Sequence, residues 1–416
     1  MADRKFKDTE VGRIPVDWEV KRLGEVSSSI TDGTHATPRY VDDGIPFYSV
    51  ENVTENNFSD TKYISEDEHK KLIKRCKPEK GDVLLTRIGT LGKTKLIDWD
   101  VNASIYVSLA LIKVNNNKVD VNYLYRYSKS SMFVENVKKR SLLNAVPQKI
   151  NMEDIGDIPL PLPPLLEQKA IAKVLSDVDE LIESIEKLIR KKKQIKEGAM
   201  QELLTGKKRL AGFSGEWEVK RLGELGVTYS GLSGKKKEDF NNGNSYYITF
   251  LNVLNNPVID LKQVEKVRVS KWENQNLVRK GDIFFNTSSE TPEEVGMCSV
   301  LMEDKPNLYL NSFCFGYRLY DGSKCDALYL TSYLRSDLGR KMFSTIAQGS
   351  TRYNLSKKEF NNIAIPLPPL PEQKAIAQIL SDMDAEIEAL EKKLDKYRKI
   401  KEGMMEKLLT GQVRLV

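Results

Sequence analysis

LPLPPLLEQKAIAKVLSDVD, residues 160–179, returns as IPLPPLPEQKAIAQILSDMD at residues 365–384, with 15 of the 20 positions identical. The two copies are 205 residues apart (365 − 160). Downstream, QIKEGAMQELLTG at 194–206 returns as KIKEGMMEKLLTG at 399–411, again 205 residues later (399 − 194). Such self-similarity predicts that the chain contains two copies of one structural unit.

The duplication extends upstream of these blocks. WEVKRLGE at 18–25 returns unchanged at 217–224, with an offset of 199 (217 − 18), and the six-residue difference (205 − 199) falls in the segments between. Those segments, 26–158 and 225–363, diverge, although FYSVENV at 47–53 still matches YITFLNV at 247–253 and GDVLL at 81–85 still matches GDIFF at 281–285. Each of these four runs predicts a short apolar strand. A shared scaffold with different surfaces suits two domains that do one job on different targets.

The repeated blocks predict two long helices. Pro164 and Pro369 end the proline-rich stretches, and apolar residues then recur every three to four positions as far as a Thr-Gly pair. Pro371 fits the first helical turn of the second copy. At 1.5 Å per residue each helix would be about 60 Å long. We expect the two helices to pack antiparallel, with the variable domains at opposite ends and a pseudo-two-fold axis between them. Packing of each helix on its own domain remains the alternative.

These patterns predict an α+β fold in which two globular variable domains are separated by two long antiparallel helices. The expected boundaries are an N-terminal tail at 1–12, a first variable domain at 13–159, a first spacer helix at 160–206, a second variable domain at 207–364, a second spacer helix at 365–411 and a C-terminal tail at 412–416.

The composition is that of a soluble globular protein. The 416 residues carry a formal charge of +6, with 30% charged and 40% hydrophobic residues. Four cysteines without a C-x-x-C spacing and two histidines argue against a metal site or a disulfide framework. Neither a secretory signal nor a run of eighteen apolar residues is evident. We therefore expect a cytoplasmic protein that does not enter a membrane.

The motifs that could indicate catalysis are incomplete. GTLGKT at 89–94 resembles a phosphate-binding loop, but Arg87 stands where the leading glycine belongs. DWEVK at 17–21 imitates the acidic core of metal-dependent nucleases, yet no acidic partner is visible upstream. We therefore predict no catalytic residue, no metal and no cofactor in this chain. A nucleotide-hydrolysing enzyme that uses Lys93 is the rival from another class.

Taken together, WEVKRLGE, PLPPLxEQKAIA and KEGxMxxLLTG, each present twice, resemble the specificity subunit of type I restriction-modification systems. The resemblance implies a non-catalytic subunit whose two target recognition domains each read half of a bipartite double-stranded DNA site, while the helices set the gap. It implies two adenine-N6 methyltransferase subunits that use S-adenosylmethionine as partners. It also implies two restriction and translocase subunits that require ATP and magnesium. A stand-alone bipartite repressor is the alternative among DNA-binding proteins.

In the first domain, TDGTHATPRY at 31–40 combines turn-forming, basic and aromatic residues and is similar to a loop of this family. Arginine suits guanine, asparagine suits adenine, and lysine suits phosphate. The predicted DNA contacts of this domain are Thr34, His35, Thr37, Arg39, Tyr40, Asn52, Arg87, Lys93, Gln148 and Lys149.

In the second domain the candidate loops are YSGLSGKKK at 229–237, NTSS at 286–289 and GSTRYN at 349–354, the last also similar to a family loop. The predicted DNA contacts are Ser233, Lys235, Lys236, Lys237, Asn252, Asn286, Thr287, Ser288, Arg352, Tyr353 and Asn354. Because the two domains diverge, we expect two different half-sites and an asymmetric recognition sequence.

Overall fold

The computed structural model describes residues 5–415 and divides into two compact units. The first unit contains the residues up to Glu186 together with those from Lys392 onward, and the second contains Lys187–Glu391. Both divisions fall inside the long helices, so each unit combines one variable region with part of each helix. Of the predicted tails, residues 1–4 and 416 lie outside the described residues. The tail predicted for 1–12 is otherwise wrong, because Phe6–Thr9 pairs with Gly12–Pro15 as a hairpin.

The first unit is built from short strands and helices before the first long helix. Its strands are β1 (Phe6–Thr9), β2 (Gly12–Pro15), β3 (Glu19–Arg22), β4 (Ser27–Asp32), β5 (Tyr40–Val41), β6 (Ile45–Tyr48), β7 (Lys62–Ile64), β8 (Val83–Thr86), β9 (Thr94–Leu96), β10 (Ser104–Ile105), β11 (Leu109–Val114) and β12 (Pro159–Leu162). Its helices are α1 (Leu23–Val26), α2 (Val50–Glu55), α3 (Glu66–Leu72), α4 (Val121–Tyr127), α5 (Ser131–Lys139), α6 (Met152–Gly156) and the part of α7 (Leu165–Leu203) that precedes Lys187.

Two four-stranded sheets dominate this unit. One is antiparallel in the order β4-β11-β8-β9, and the other has the order β10-β6-β7-β5 with a parallel β10–β6 pair. The repeated block WEVKRLGE forms β3 and α1, and β3 pairs with the proline-rich β12. Two repeat motifs that lie about 140 residues apart in the chain are therefore neighbours in space.

The second unit repeats this plan. Its strands are β13 (Glu218–Arg221), β14 (Gly226–Ser230), β15 (Phe240–Ile248), β16 (Val264–Val267), β17 (Ile283–Asn286), β18 (Ser288–Ser289), β19 (Cys298–Val300), β20 (Leu308–Leu310), β21 (Cys314–Leu319), β22 (Tyr353–Asn354) and β23 (Ala364–Leu367). Its helices are α8 (Leu222–Leu225), α9 (Phe250–Asn255), α10 (Ala327–Arg335), α11 (Asp337–Ile346), α12 (Lys357–Asn362) and the part of α13 (Leu370–Leu409) that precedes Lys392, with a 3₁₀ turn at Lys237–Asp239. The sheet β14-β21-β17-β19 corresponds to β4-β11-β8-β9, and β13 pairs with β23.

The predicted long helices are confirmed, but both are shorter than the bounds 160–206 and 365–411, because each range begins in a strand, β12 or β23. Helix α7 begins directly after Pro164 and α13 directly after Pro369, with Pro371 in the first turn. Each helix is followed by a glycine with the same positive φ of 69°, Gly206 and Gly411, which a residue with a side chain adopts only at a cost. At Gly411 an added Cβ would also lie 2.4 Å from the ring of Pro15. The Thr-Gly pairs are therefore true helix stops.

Within each unit the two helix segments run antiparallel. In the first unit Lys401 Nζ lies 2.6 Å from Asp179 Oδ1, and Arg398 Nη2 lies 2.7 Å from Glu186 Oε1. In the second unit Lys196 Nζ lies 2.5 Å from Asp384 Oδ1. Since Lys196 matches Lys401 and Asp179 matches Asp384 in the repeat, both units use the same ion pair (401 − 196 = 384 − 179 = 205).

Each helix also packs on its own variable region, so the two arrangements considered from the sequence occur together. Ile171 and Leu175 of α7 are buried with Tyr123 and Tyr127 of α4, and Leu408 of α13 joins the same core. In the second unit the core likewise combines α10, the start of α13 and the end of α7. The apolar face of each long helix is therefore covered by the variable region on one side and by the other long helix on the other side.

A buried polar anchor joins the tryptophan of the repeat to the start of each helix. Glu167 is fully buried, and it accepts hydrogen bonds from Trp18 Nε1 at 3.1 Å and from Arg414 Nε at 2.5 Å and Nη2 at 2.7 Å. In the second unit Glu372 accepts in the same way from Arg209 Nε at 2.6 Å and Trp217 Nε1 at 3.3 Å. The glutamate of the repeated E-Q-K triplet is thus a structural acceptor for groups distant in sequence.

Candidate nucleic-acid interface

In the first unit the predicted loop at 31–40 starts where β4 ends. Its backbone is fixed to the segment between β10 and β11, because Thr34 N donates to Ile105 O at 3.1 Å and Val107 N donates to Thr34 O at 3.0 Å. Thr37 Oγ1 and Tyr106 OH share a hydrogen bond of 3.2 Å. The loop is thus held at one end of the β4-β11-β8-β9 sheet.

Asp32, the last residue of β4, connects this loop to the turn that follows β8 and contains Arg87. Arg87 Nη1 donates to Asp32 Oδ2 at 2.9 Å, and Arg87 Nε donates to Ile150 O at 3.2 Å. His35 Nε2 also lies 2.8 Å from Asp32 Oδ2. Burial lowers the pKa of Arg87 while the Asp32 carboxylate opposes that shift. Asp32 was not among the residues predicted from the sequence. Its position as an acidic residue in a loop with basic side chains was a signal that could have identified it.

The segment 144–149, which carries the predicted contacts Gln148 and Lys149, lies beside the turn that follows β8 and contains Arg87. Gly89 N donates to Gln148 O at 2.8 Å, and Ile150 N donates to Arg87 O at 3.0 Å. Three segments that are widely separated in sequence therefore meet at one edge. The exposed predicted side chains there are His35, Thr37, Arg39, Tyr40, Lys93, Gln148 and Lys149. Thr34 is half-buried, and its Oγ1 donates to Ala36 O at 3.1 Å.

The second unit assembles an equivalent edge by the same backbone contacts. Leu232 N donates to Leu310 O at 2.8 Å, and Thr287 N donates to Phe313 O at 3.1 Å. Ser288 and Ser289 of β18 then pair with Asn354 and Tyr353 of β22. The loops at 229–237, 286–289 and 349–354 are thereby brought together around the segment that precedes β21, as the first unit does around the segment that precedes β11.

The side chains at this second edge are basic and amide-bearing. Arg352 is exposed, and its Nε donates to Ser288 Oγ at 3.2 Å, which orients the guanidinium. Asn354 is also exposed, whereas Tyr353 and Thr287 are half-buried. The remaining exposed predicted residues of this unit are Ser233, Lys236 and Lys237.

Three predicted amides do not fit a role in DNA contact. Asn52 and Asn252 are buried inside α2 and α9, and their Nδ2 groups donate to backbone carbonyls, at 3.0 Å to Asn57 O and 2.8 Å to Asp260 O. Asn286 is fully buried, and its Nδ2 donates to Glu294 O at 2.9 Å. Amide hydrogens that are already donated inside the fold cannot read a base edge. These three asparagines hold loops in place.

Three further predicted contacts are also engaged inside the protein. Arg87 is buried by the Asp32 network, and Ser288 is 9% exposed and accepts from Arg352. The side chain of Lys235 is 6% exposed and paired with Glu273, and that bond lowers the pKa of Glu273 to about 2. Neither Arg87 nor Lys235 is available for a phosphate in this conformation.

The prediction of strands at Phe47–Val53 and Tyr247–Val253 is half wrong. Each segment begins as a strand, but helix α2 follows at Val50 and helix α9 follows at Phe250. In the second unit Thr249 caps the helix, because its Oγ1 accepts from Asn252 N at 3.2 Å. The runs Gly81–Leu85 and Gly281–Phe285 do contain strands, β8 and β17.

The segment that resembles a phosphate-binding loop is a hairpin turn. GTLGKT lies between β8 and β9, which pair antiparallel, and Lys93 N donates to Thr86 Oγ1 at 2.9 Å. A phosphate-binding loop of the P-loop type leads from a strand into a helix. The enzyme alternative therefore loses its structural basis. Among residues 5–415, no helix has the length and apolar character needed to cross a membrane.

Comparison with known proteins agrees with this architecture. The pattern of the type I restriction modification DNA specificity domain matches twice, at residues 15–197 and 214–397. The chain belongs to the family of type I restriction-modification specificity subunits. Members of this family are non-catalytic components of type I restriction-modification complexes, and this specificity subunit accordingly binds DNA and assembles with other subunits.

Relatives extend over nearly the whole specificity subunit. The type I restriction enzyme MjaVIII specificity subunit of Methanocaldococcus jannaschii is 27% identical over 99% of this chain and 97% of its own length. The EcoKI specificity subunit of Escherichia coli K12 is 23% identical over 92% of this chain and 86% of its own. The crystal structure of the S subunit from M. genitalium has a TM-score of 0.58 at 17% identity, covering 94% of this chain and 96% of that one, which supports the fold.

Proposed function

We propose that each unit of this specificity subunit reads one half of a split double-stranded DNA site through the loop edge described above. The observation that carries the proposal is the gathering of three loops at equivalent edges of both units, by the same backbone hydrogen bonds, with different exposed side chains. The equivalent positions of the two loop edges support one common task for the two units. The difference in side chains supports two unequal half-sites and hence an asymmetric sequence.

The proposed roles follow from the chemistry of the exposed groups. Arg39 and Arg352 suit bidentate contact with guanine, and Gln148 and Asn354 suit adenine. Lys93, Lys149, Lys236 and Lys237 suit phosphates, which fix the position of the protein on the duplex. The hydroxyls of Thr34, Thr37, Ser233 and Thr287, together with His35, Tyr40 and Tyr353, complete the proposed contact set.

The proposed partners are two methyltransferase subunits, which bring S-adenosylmethionine, and two restriction and translocase subunits, which use ATP and magnesium. We propose that the long helices dock the methyltransferase subunits and set the gap between the half-sites, and that the complex acts in the cytoplasm. Support comes from the family and from the antiparallel segments, whose matching ion pairs give each unit the same helical surface.

The experiment that tests the proposal is sequencing of genomic DNA from a host that lacks adenine methylation. The host expresses the methyltransferase partner with or without this chain. We expect N6-methyladenine only when the chain is present, at an asymmetric motif interrupted by a gap. A continuous or palindromic motif would contradict the proposed reading by two unequal units. Absence of methylation although the proteins associate would contradict the proposed function.

A further inference from the structure

The second unit presents a tryptophan outside its core. Trp272 is 94% exposed, whereas Trp18 is fully buried and Trp99 and Trp217 are half-buried. A large aromatic side chain left in water forgoes the stabilisation that burial would give. Such a residue is common at surfaces that bind another molecule, because its apolar face remains available.

The turn that carries Trp272 is held by hydrogen bonds on both sides. Ser270 N donates to Glu273 Oε1 at 3.0 Å, and Glu273 N donates to Ser270 O at 3.1 Å. Glu273 is also paired with Lys235. Gln275 continues the bracing, because its Nε2 donates to Ser233 O at 2.9 Å and its Oε1 accepts from Ser233 N at 3.1 Å. The indole is thus presented from a defined turn.

These same bonds attach Trp272 to the proposed DNA-reading edge. Ser233 belongs to the glycine-rich loop, and the adjacent Leu232 is bonded to the end of β20 where that edge is assembled. Lys236, Lys237 and Lys271 are exposed; Lys236 and Lys237 directly follow Lys235, which pairs with Glu273, and Lys271 directly precedes Trp272. Exposed cations beside an exposed aromatic face are the combination that holds phosphates and packs on nucleotides.

We infer that Trp272 is a DNA-contacting side chain that packs its indole against the nucleotides of the second half-site, while Lys236, Lys237 and Lys271 hold the flanking phosphates. The inference rests on the proposed function and extends it, because sequence reasoning did not select Trp272 or Lys271. Apolar side chains that enter a groove in this way stabilise a locally opened base step. A binding surface for a methyltransferase subunit is the competing use of the same residue.

The test uses the complete methyltransferase complex and a duplex that carries its methylated motif. Trp272→Ala should weaken binding about tenfold, since loss of one stacked aromatic has about that effect, and Trp272→Phe should recover most of it. Val227→Ala, at a half-exposed residue of β14, is the matched control and should leave the affinity unchanged. Little unfolding is expected from the tryptophan substitutions because the side chain contributes almost nothing to the core.

A second readout follows the indole itself. The fluorescence of Trp272, obtained as the difference between the wild-type and Trp272→Phe complexes, should lose its accessibility to acrylamide several-fold when the duplex is added. Unchanged accessibility with DNA bound, or an unchanged affinity for Trp272→Ala, would overturn the inference while leaving the proposed function intact. Protection on adding the methyltransferase subunit alone would overturn it in favour of a protein interface. Failure of the wild-type complex to bind a split site would overturn both proposals.

Discussion

The contact between Arg414 and Glu167 gives the sharpest test of how the first unit is held together. Glu167 lies at the start of α7 and has no exposed surface, yet it carries a carboxylate. Arg414 satisfies it through two hydrogen bonds and also binds Asp17 through Nη1 at 2.9 Å and Nη2 at 2.8 Å. These bonds, first to Asp17 and then to Glu167, raise the pKa of Arg414. Arg414→Ala should therefore leave a buried carboxylate with Trp18 as its remaining side-chain partner.

Most of the stability lost in Arg414→Ala is expected to come from Glu167, whose buried carboxylate loses its cationic partner. Loss of one partner of a buried ion pair costs about 3–5 kcal/mol, and the 20% exposure of the Arg414 side chain, which admits water, favours the lower end. The bond to Asp17 adds about 0–1 kcal/mol, because that carboxylate is 51% exposed. We therefore expect the free energy of unfolding of the first unit to fall by about 3 kcal/mol.

Hydrogen exchange of the full chain measures this change for each unit separately. The slowest amides of the first unit should exchange about a hundredfold faster in Arg414→Ala, since about 1.4 kcal/mol corresponds to a factor of ten. The amides of the second unit should not change. Arg209→Ala, which removes the equivalent partner of Glu372, should give the reverse pattern. Lys396→Ala, at an exposed cation of α13, is the charge control and should affect neither unit.

The double variant Glu167→Gln, Arg414→Ala should recover part of the loss, because the amide replaces an unpaired charge by a neutral group. The reasoning would be refuted if Arg414→Ala accelerated exchange less than threefold. It would also be refuted if both units were destabilised equally, since that result would point to a general charge effect.

Three further predictions concern readout, internal amides and thiols. Arg352→Ala should relax discrimination at the second half-site by about 1–3 kcal/mol and spare the first, as measured by methylation of duplexes with single mismatches; equal loss at both would indicate misfolding. Asn252→Ala should cost about 2 kcal/mol in urea unfolding, because it orphans buried backbone groups, yet leave the methylated motif unchanged; an altered motif would restore it to the contact set. Burial raises the pKa of every cysteine thiol, so at pH 9 a thiol reagent should label the native chain slowly and react with four thiols after denaturation; rapid native labelling would contradict the burial of Cys76, Cys298, Cys314 and Cys325.

The long helices could be predicted closely because their signals are local. Proline excludes the helix on one side, glycine at positive φ stops it on the other, and the apolar spacing between them has one period. The duplication added independent support, since α7 and α13 begin at equivalent residues and end within one residue of equivalent positions. The same signals could not show that each unit takes its helix segments from both copies, because that depends on contacts between residues about 200 apart in the chain.

The candidate loops come together at one edge of each unit, but the positions of individual side chains within them were not all predictable. Arg87, Asn52 and Asn252 have the chemistry of base-reading residues, and whether such a group faces DNA or a neighbouring loop is decided by burial. The helices that begin at Val50 and Phe250 were not predicted, because they start within short apolar runs, for which periodicity does not distinguish a strand from a helix. Ser49 and Thr249, residues of the type that caps helices, were the available local signal.

The most direct test of the central claim is the methylated motif of a chain in which residues 217–364 are replaced by a second copy of residues 18–159, which keeps Arg209 as the partner of Glu372. Sequencing of host DNA, with the methyltransferase partner present, gives the motif of this chain and of the wild type. If each unit reads its own half-site, the altered chain should methylate a motif in which the first half-site occurs twice and the second is absent. Retention of the original second half-site in an active complex would contradict reading by two independent units.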